Sequence, residues 1–233
     1  MISILIPVYN TKPDFLIKCI NSCLSQTIDD YEIVIVDNGS TDNETIGVLT
    51  ECSKESKINI YNCAQQEGKN NISIALNMGL RNCNHNLVAR MDSDDIMFHD
   101  RLERQLDYMN KNPEVDILGA QIRVFPDNYT TNHPKVITKE MGVNSSWFIN
   151  HPSVMYKKDK ILSIGGYKDT PEHAAEDYGL WMNALRNKMV IRNMKETVLL
   201  YRSHGENLTR KREKHNSYYE SIKIEQDKTR QTI

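Results

Sequence analysis

The chain has 233 residues, 39% of them hydrophobic and 26% charged, and its 29 Lys+Arg against 31 Asp+Glu leave a formal net charge of −2. That length suits one α/β domain, or one with a small appendage, and so neutral a balance supplies no overall field for nucleic acid or an anionic membrane. No apolar run approaches the ~18–20 residues of a membrane-spanning helix, and the five cysteines, odd in number and without CxxC spacing, predict neither a disulfide framework nor a zinc knuckle and fit a reducing cytoplasm.

Ile2-Ser-Ile-Leu-Ile-Pro-Val8 is a nearly continuous apolar run with β-branched residues, which predicts a strand buried on both faces. With no basic segment before it, it does not read as a signal peptide. Phe15, Leu16, Cys19, Ile20, Cys23 and Leu24 then recur at helical spacing behind Pro13, so the two thiols share a core-facing side. A second buried run, 31–37, stops at the turn signal Asn38-Gly39-Ser40, and the next helix is predicted to begin at Thr41 or Asp42. A strand at 57–62, a helix at 73–81, a strand at 87–91 and a charged amphipathic helix at 100–110 continue the alternation. Repeated strand-helix units predict a doubly wound, mostly parallel sheet that binds ligands beyond the carboxyl ends of its strands. Asp37 and Asp92 both sit at such ends.

Past Pro113 the rhythm changes to a mixed pattern. A longer strand is predicted at 115–125, a loop at 126–135, a strand at 146–157, a turn at Gly165-Gly166-Tyr167, a helix at 176–186 and a short strand at 198–201. The run Arg210-Lys-Arg-Glu-Lys-His215 opens a C-terminal helix, and 209–233 reads as a basic helical tail. From Arg186 onward 12 basic residues face 6 acidic ones, which makes the tail +6 and the body −8. Such a tail can touch a partner or a membrane surface peripherally, or simply be a solvated face. Six Asn-x-Ser/Thr sequons among 23 asparagines are what chance supplies.

Four segments could carry chemistry. Asp92-Ser93-Asp94-Asp95 gathers three carboxylates where a buried strand ends; their mutual repulsion calls for a cation such as Mg²⁺ or Mn²⁺, or for solvent around a plain acidic turn. Asp37 could accept hydrogen bonds from a base or ribose, or merely start an Asx turn. Glu176-Asp177 are favoured by the helix dipole at the start of a helix, and one of them could project into the cleft as a general base. In Tyr201-Arg-Ser-His204, Arg202 could grip phosphate and His204 could ligate a metal. Neither GxGxxG nor GxxxxGK[ST] occurs, so dinucleotide-oxidoreductase and P-loop readings lose their support. Trp147 and Trp181 could stack on a sugar or simply pack, and Trp181 lies one turn beyond Asp177.

In order along residues 2–207 stand Ile6-Pro-Val-Tyr-Asn10, Gln26-Thr27, Val36-Asp-Asn-Gly-Ser-Thr-Asp42, Ala75-Leu-Asn-Met-Gly79, Met91-Asp-Ser-Asp-Asp95, Arg101-Leu-Glu-Arg-Gln105, His151-Pro-Ser-Val154, Gly165-Gly-Tyr167 and Glu176-Asp177. Together they resemble the family 2 glycosyltransferases, inverting enzymes of the GT-A fold. The resemblance implies one GT-A domain at 1–208, with a nucleotide-sugar half at 1–112 and an acceptor half at 113–208. Pro7 and Tyr9 would line the nucleotide pocket, and Asp37 would hold the uracil of a UDP-sugar. In the Asp-x-Asp pair with Ser93 between, Asp92 would face the ribose, while Asp94 would bind a divalent ion (Mn²⁺ or Mg²⁺) bridging the phosphates. Asp177 matches the base that deprotonates an acceptor hydroxyl, and Arg202 and His204 match a segment that touches diphosphate or metal. The acceptor would be a glycan, a lipid-linked saccharide or a protein.

The Gln-x-x-Arg-Trp motif of processive synthases is missing, which favours single addition. Before Ala75 the stretch from Glu67 to Ser73 is longer than the family pattern, so Lys69 and Asn71 receive no donor role. Three other readings compete. A nucleotide-sugar pyrophosphorylase would need a Gly-rich basic loop after the first strand, and Ile6 to Lys12 has no glycine. A non-catalytic nucleotide-sugar-binding or scaffold module of the same fold would be signalled by loss of Asp94 or Asp177, and both are present. A haloacid-dehalogenase-like phosphatase would carry its Asp-x-Asp after an early strand.

Overall fold

A computed structural model describes residues 1–63, 72–168, 175–205 and 216–232. The strands are β1 (Ile2–Val8), β2 (Tyr31–Asp37), β3 (Ile58–Asn62), β4 (Leu87–Arg90), β5 (Ile96–Met97), β6 (Ile117–Phe125), β7 (Tyr129–Thr130), β8 (Met155–Lys157) and β9 (Ile191–Arg202). They form one sheet in the order β3-β2-β1-β4-β8-β6-β9-β5, with β7 folded back on β6. β1 to β4 run parallel, β8 is antiparallel between β4 and β6, and β9 lies parallel to β6. The GT-A expectation of a mostly parallel, doubly wound sheet therefore holds.

Every residue of β1 and β2 is buried because helices cover both faces. Side chains alternate across a strand, so Ile4, Ile6 and Ile35 meet α1 (Pro13–Leu24), α2 (Asn43–Cys52) and α4 (Arg101–Lys111). Leu5, Val34 and Val36 meet the opposite layer, which holds α3 (Ile72–Asn82) and α7 (Glu176–Arg186). Gly79 on α3 lets that helix sit directly on the sheet, since a Cβ there would run into the Leu5 and Val36 side chains. Cys19 and Cys23 are core residues, as their shared face suggests, and all five cysteines are free thiols.

The first half follows its predicted elements within a few residues, and the second half departs from them. The strand expected at 146–157 survives only as β8, after a 3₁₀ turn at His151–Ser153. Side chains replace the ladder there: Asn150 Nδ2 donates to Ala120 O at 2.9 Å, and Ser153 Oγ accepts from Ala120 N at 3.0 Å. β9 spans 12 residues rather than the short 198–201 expected, because Arg192, Lys195 and Glu196 interrupt its hydrophobic pattern while the β6 ladder continues. Short helices α5 (Lys139–Asn144) and α6 (Lys158–Ser163) and the two-residue β5 were not legible.

The expected C-terminal helix is α8 (Asn216–Arg230), and the basic run 210–215 lies outside the described residues. α8 lies against the body: Ser221, Ile222 and Thr229 are buried, and Arg186 Nη2 pairs with Glu225 Oε2 at 2.6 Å. Among the described residues, no helix is long and apolar enough to cross a membrane.

Candidate active site

Parallel strands present backbone ends on one rim, and the loops leaving β1, β2 and β4 meet there. Met91 N donates to Leu5 O, and Asn38 N to Val8 O, at 3.0 and 2.7 Å. Pro7 is buried in β1 opposite Val36, while Tyr9, just past the strand end, is 38% exposed. Asp37 is nearly buried; its Oδ1 accepts from Ser40 N at 2.8 Å and its Oδ2 from Asn62 Nδ2 at 3.3 Å. That is the Asx-type turn foreseen for this segment, built at the strand end where a ligand would lie. The following helix starts as expected, with the Asp42 side chain capping Thr45 N.

Asn10 ties two of these loops together, a role the sequence does not announce. With φ at 45°, its Oδ1 accepts from Thr41 N and Asp42 N at 2.8 and 3.0 Å. A left-handed asparagine is the residue type that tolerates this geometry. Next to it, Thr11 Oγ1 lies 2.6 Å from Ser93 Oγ, which joins the β1 exit to the acidic loop.

The acidic loop is held from three sides. Asp92 Oδ1 pairs with Arg90 Nη2 at 2.5 Å, and its carbonyl accepts from Cys19 Sγ at 3.2 Å. Asp94 Oδ2 lies 2.8 Å from His204 Nε2. Asp95, fully buried, accepts at Oδ1 from Arg202 N at 2.8 Å, while Arg202 Nε donates to Asp94 O at 2.9 Å. Arg202 also lies over the Phe15 ring, 4.2 Å from its centroid, and that ring is 5.6 Å from His204. β5 pairing with β9 explains how residues so distant in sequence meet.

Burial and mutual repulsion both act on the carboxyls of this loop. Burial, then the Asp92 charge, raise the Asp94 carboxyl above the ordinary carboxylate range, with His204 pulling the other way. Asp95 is driven well above that range by burial and by both neighbours, and among the described residues its Oδ2 has no hydrogen-bond partner. Burial disfavours a charged Arg90, yet Asp92, Tyr167 and Glu176 outweigh it and hold the guanidinium firmly protonated. A lone arginine ending an apolar strand is the signal by which Arg90 could have been found.

Glu176 and Asp177 separate at the start of α7. Glu176 is buried at 4% exposure on the Arg90 side, whereas Asp177 is half-exposed, its Oδ1 accepting from Tyr178 N at 2.7 Å. Of the two adjacent carboxylates, Asp177 is the more exposed. Ala175, which precedes them, is left-handed with φ 57°.

Three other motifs act as scaffold. Asn77 grips the glycine turn, donating from Nδ2 to Tyr167 O at 2.6 Å and accepting from Tyr167 N at 2.9 Å. Arg101 is wholly buried and donates to the carbonyls of Arg90, Pro152 and Val154. His151 Nε2 meets Tyr167 Oη at 2.9 Å and stands edge-on to Trp181 at 5.7 Å. Trp181, 2% exposed, is therefore core and not a sugar platform.

Residues 3–167 match the family described as Glycosyl transferase family 2. The chain belongs to that family. This glycosyltransferase is 32% identical over 223 residues to the amylovoran biosynthesis glycosyltransferase AmsE of Erwinia amylovora, covering 91% of this chain and 79% of that one. It is 34% identical over 194 residues to the UDP-Gal:alpha-D-GlcNAc-diphosphoundecaprenol beta-1,3-galactosyltransferase of Escherichia coli, covering 79% and 68%. Among solved structures it resembles S. aureus TarS, with a TM-score of 0.74 at 18% identity over 96% of this chain, and it spans only 38% of that protein. Against the 1-349 portion of TarS with UDP-GlcNAc the TM-score is 0.74 at 17% identity, covering 96% and 66%. These structures share the GT-A fold.

In this glycosyltransferase the Asp94 carboxylate and the His204 imidazole meet in a hydrogen bond of 2.8 Å, and these two side chains could hold a divalent ion. Among the described residues no cluster of three His, Cys, Asp or Glu side chains forms a ready metal cage. Two protein ligands suit ions that complete their shell with water and substrate phosphates.

Proposed function

We propose that this glycosyltransferase moves a hexose or N-acetylhexosamine from a UDP-sugar to a hydroxyl of a saccharide carried on a polyprenyl diphosphate, with inversion and one sugar per event. The observation that carries the reading is the Asp94–His204 pair, 2.8 Å apart at the carboxyl-end rim where Asp37, Ser93 and Arg202 also gather. Donor and acceptor classes are supported by the Escherichia coli relative, whose name specifies both. The reading places the enzyme in the cytoplasm, where its free thiols stay reduced.

In this mechanism Asp37 accepts from the uracil, Pro7 and Tyr9 wall the base, and Asp92 faces the ribose. Asp94 and His204 would hold Mn²⁺ or Mg²⁺, which stabilises negative charge on the departing diphosphate. Arg202 braces the loop that carries Asp94 and adds positive charge beside it. Asp177 takes the proton of the acceptor hydroxyl as its oxygen attacks the anomeric carbon in line; the bond from that carbon to the phosphate oxygen breaks and UDP leaves with the electron pair.

The test is thermal stability against UDP-galactose, UDP-GlcNAc and GDP-mannose, with and without Mn²⁺, followed by transfer to α-GlcNAc-diphosphoryl lipid. A Mn²⁺-dependent shift with the UDP-sugars is expected, lost in Asp94→Ala. Asp177→Asn is expected to bind donor and to lose ~10²–10⁴-fold in kcat. Full transfer by either variant, or a shift with GDP-mannose alone, would overturn the reading.

A further inference from the structure

The chain has two tryptophans, and only one is accounted for by packing. Trp181 is in the core, but Trp147 is 58% exposed, an unusual placement for the largest apolar ring. It is nonetheless fixed. His133 stands edge-on to it with centroids 5.1 Å apart and planes at 81°, and Ser145 Oγ accepts from its backbone N at 3.2 Å. His133 is itself anchored to the sheet, since its Nε2 lies 3.1 Å from Asn150 Oδ1 and Asn150 bonds Ala120 O.

Beside the indole opens a cavity of about 380 Å³, near the low end of the ~300–1,000 Å³ typical of ligand clefts. Pro134, Met141 and Phe148 give it apolar walls, and Glu140 and Asn144 on α5 put a carboxylate and an amide at its rim. Asn144 Nδ2 donates to Glu140 O at 2.7 Å, and hydrogen bonds from its own backbone and from Thr138 hold the Glu140 carboxyl below the ordinary range. A flat aromatic face next to apolar walls and a charged acceptor edge complements one chemical class well: a pyranose ring, with C–H groups on its face and hydroxyl donors on its perimeter.

One wall of the cavity packs on the first turn of α7. The Phe148 ring lies 6.2 Å from Tyr178, the residue after Asp177, and Tyr178 Oη donates to Gly142 O on α5 at 2.7 Å. α5, the Trp147 segment and the first turn of α7 thus form one packed unit. We propose that this cavity is an acceptor subsite in which one pyranose ring of a saccharide acceptor stacks on Trp147 and hydrogen-bonds Glu140. The proposal rests on the transferase reading above and specifies its acceptor side.

Iodide quenching of tryptophan emission tests it, because iodide reaches Trp147 and not Trp181. The probes are the methyl glycosides of glucose, galactose, N-acetylglucosamine and N-acetylgalactosamine. At least one is expected to protect the emission saturably, and Trp147→Phe should remove the quenchable fraction. By saturation-transfer NMR, the signal of that glycoside should fall at least fivefold in Trp147→Ala and in Glu140→Gln, while the UDP thermal shift of both variants persists. If no glycoside protects, if Trp147→Ala binds as the wild type does, or if sedimentation shows that protection arises from self-association of the chain, the subsite is refuted. Glycoside binding that depends on Trp147 in a protein with no UDP-sugar shift would defeat the donor reading and leave the subsite standing.

Discussion

Arg101 offers the sharpest test of how the acidic loop is held. It carries a positive charge with no exposed surface, and burial first, then the nearby Arg90 charge, lower its pKa to about 10, which leaves it protonated at neutral pH. Its Nη2 donates to Arg90 O at 2.8 Å and Val154 O at 3.2 Å, its Nη1 to Pro152 O at 3.0 Å, and its Nε to Gln105 Oε1 at 2.8 Å. One planar fork thereby clamps the end of β4 to the His-Pro-Ser turn. In Arg101→Lys the charge stays buried, but an ammonium lacks the fork and reaches one or two of these acceptors. Losing two charge-assisted bonds at ~1.5–3 kcal/mol each, with some relaxation, predicts a cost of about 3–5 kcal/mol. At ~2–4 °C per kcal/mol for a chain of this size, Tm should fall by roughly 6–20 °C. Urea unfolding with an unchanged m-value is the direct measure. A variant within about 1 kcal/mol of wild type would refute the clamp, since no surface effect could offset an unpaired buried charge.

Two adjacent glycines should respond differently to alanine. Gly165 (φ 90°) has open space at its Cβ position, so Gly165→Ala should cost about 1–2 kcal/mol from backbone strain alone. Gly166 (φ 67°) faces the Asn77 amide that grips Tyr167, so Gly166→Ala should cost about 3–4 kcal/mol in urea unfolding; equal losses would contradict the Asn77 clamp. Glu225 predicts a pH signature for α8. Burial raises its pKa, but Lys228 and Arg186 outweigh this and hold it below the ordinary value. Its contribution is thus present above the unfolded value of ~4.3 and lost as pH falls through the lower folded one. Glu225→Gln should destabilise by on the order of 1 kcal/mol at pH 7, and the loss should shrink as pH falls through the lowered folded value; a pH-independent loss would refute the pairing. Asn10→Ala should raise the donor KM by roughly 5–50-fold with little change in Tm, because it frees the loops around the rim without opening the core. An unchanged KM with a lowered Tm would make Asn10 purely structural.

The nucleotide half could be read from the chain because its information is local. β1 and β2 lie inside a sheet covered on both faces, so their apolar runs are unbroken, and each ends at its own turn chemistry, as at Asn38-Gly39-Ser40. The order of short motifs likewise identified the family, since each loop of the rim follows one strand. In the second half, hydrogen bonds between segments far apart in sequence override local pattern. Ser153 and Asn150 hold Ala120 in place of a ladder, and β9 continues through charged residues because β6 provides its partners.

What the sequence by itself determined is therefore the sheet's parallel core and the family, and it named a set of candidate residues: Asp37, the Asp92–Asp95 loop, Asp177, Arg202 and His204. What only the tertiary structure decided is which of those groups meet and which way they face. The Asp94–His204 contact bridges 110 positions and exists because β5 pairs with β9. Glu176 is buried on the Arg90 side and Asp177 is partly exposed, because successive residues of a helix face different surroundings. Arg101 and Asn77 clamp backbone, and of the two tryptophans one is core and one exposed, because a residue's role depends on where its side chain is enclosed, and enclosure is made by the whole chain.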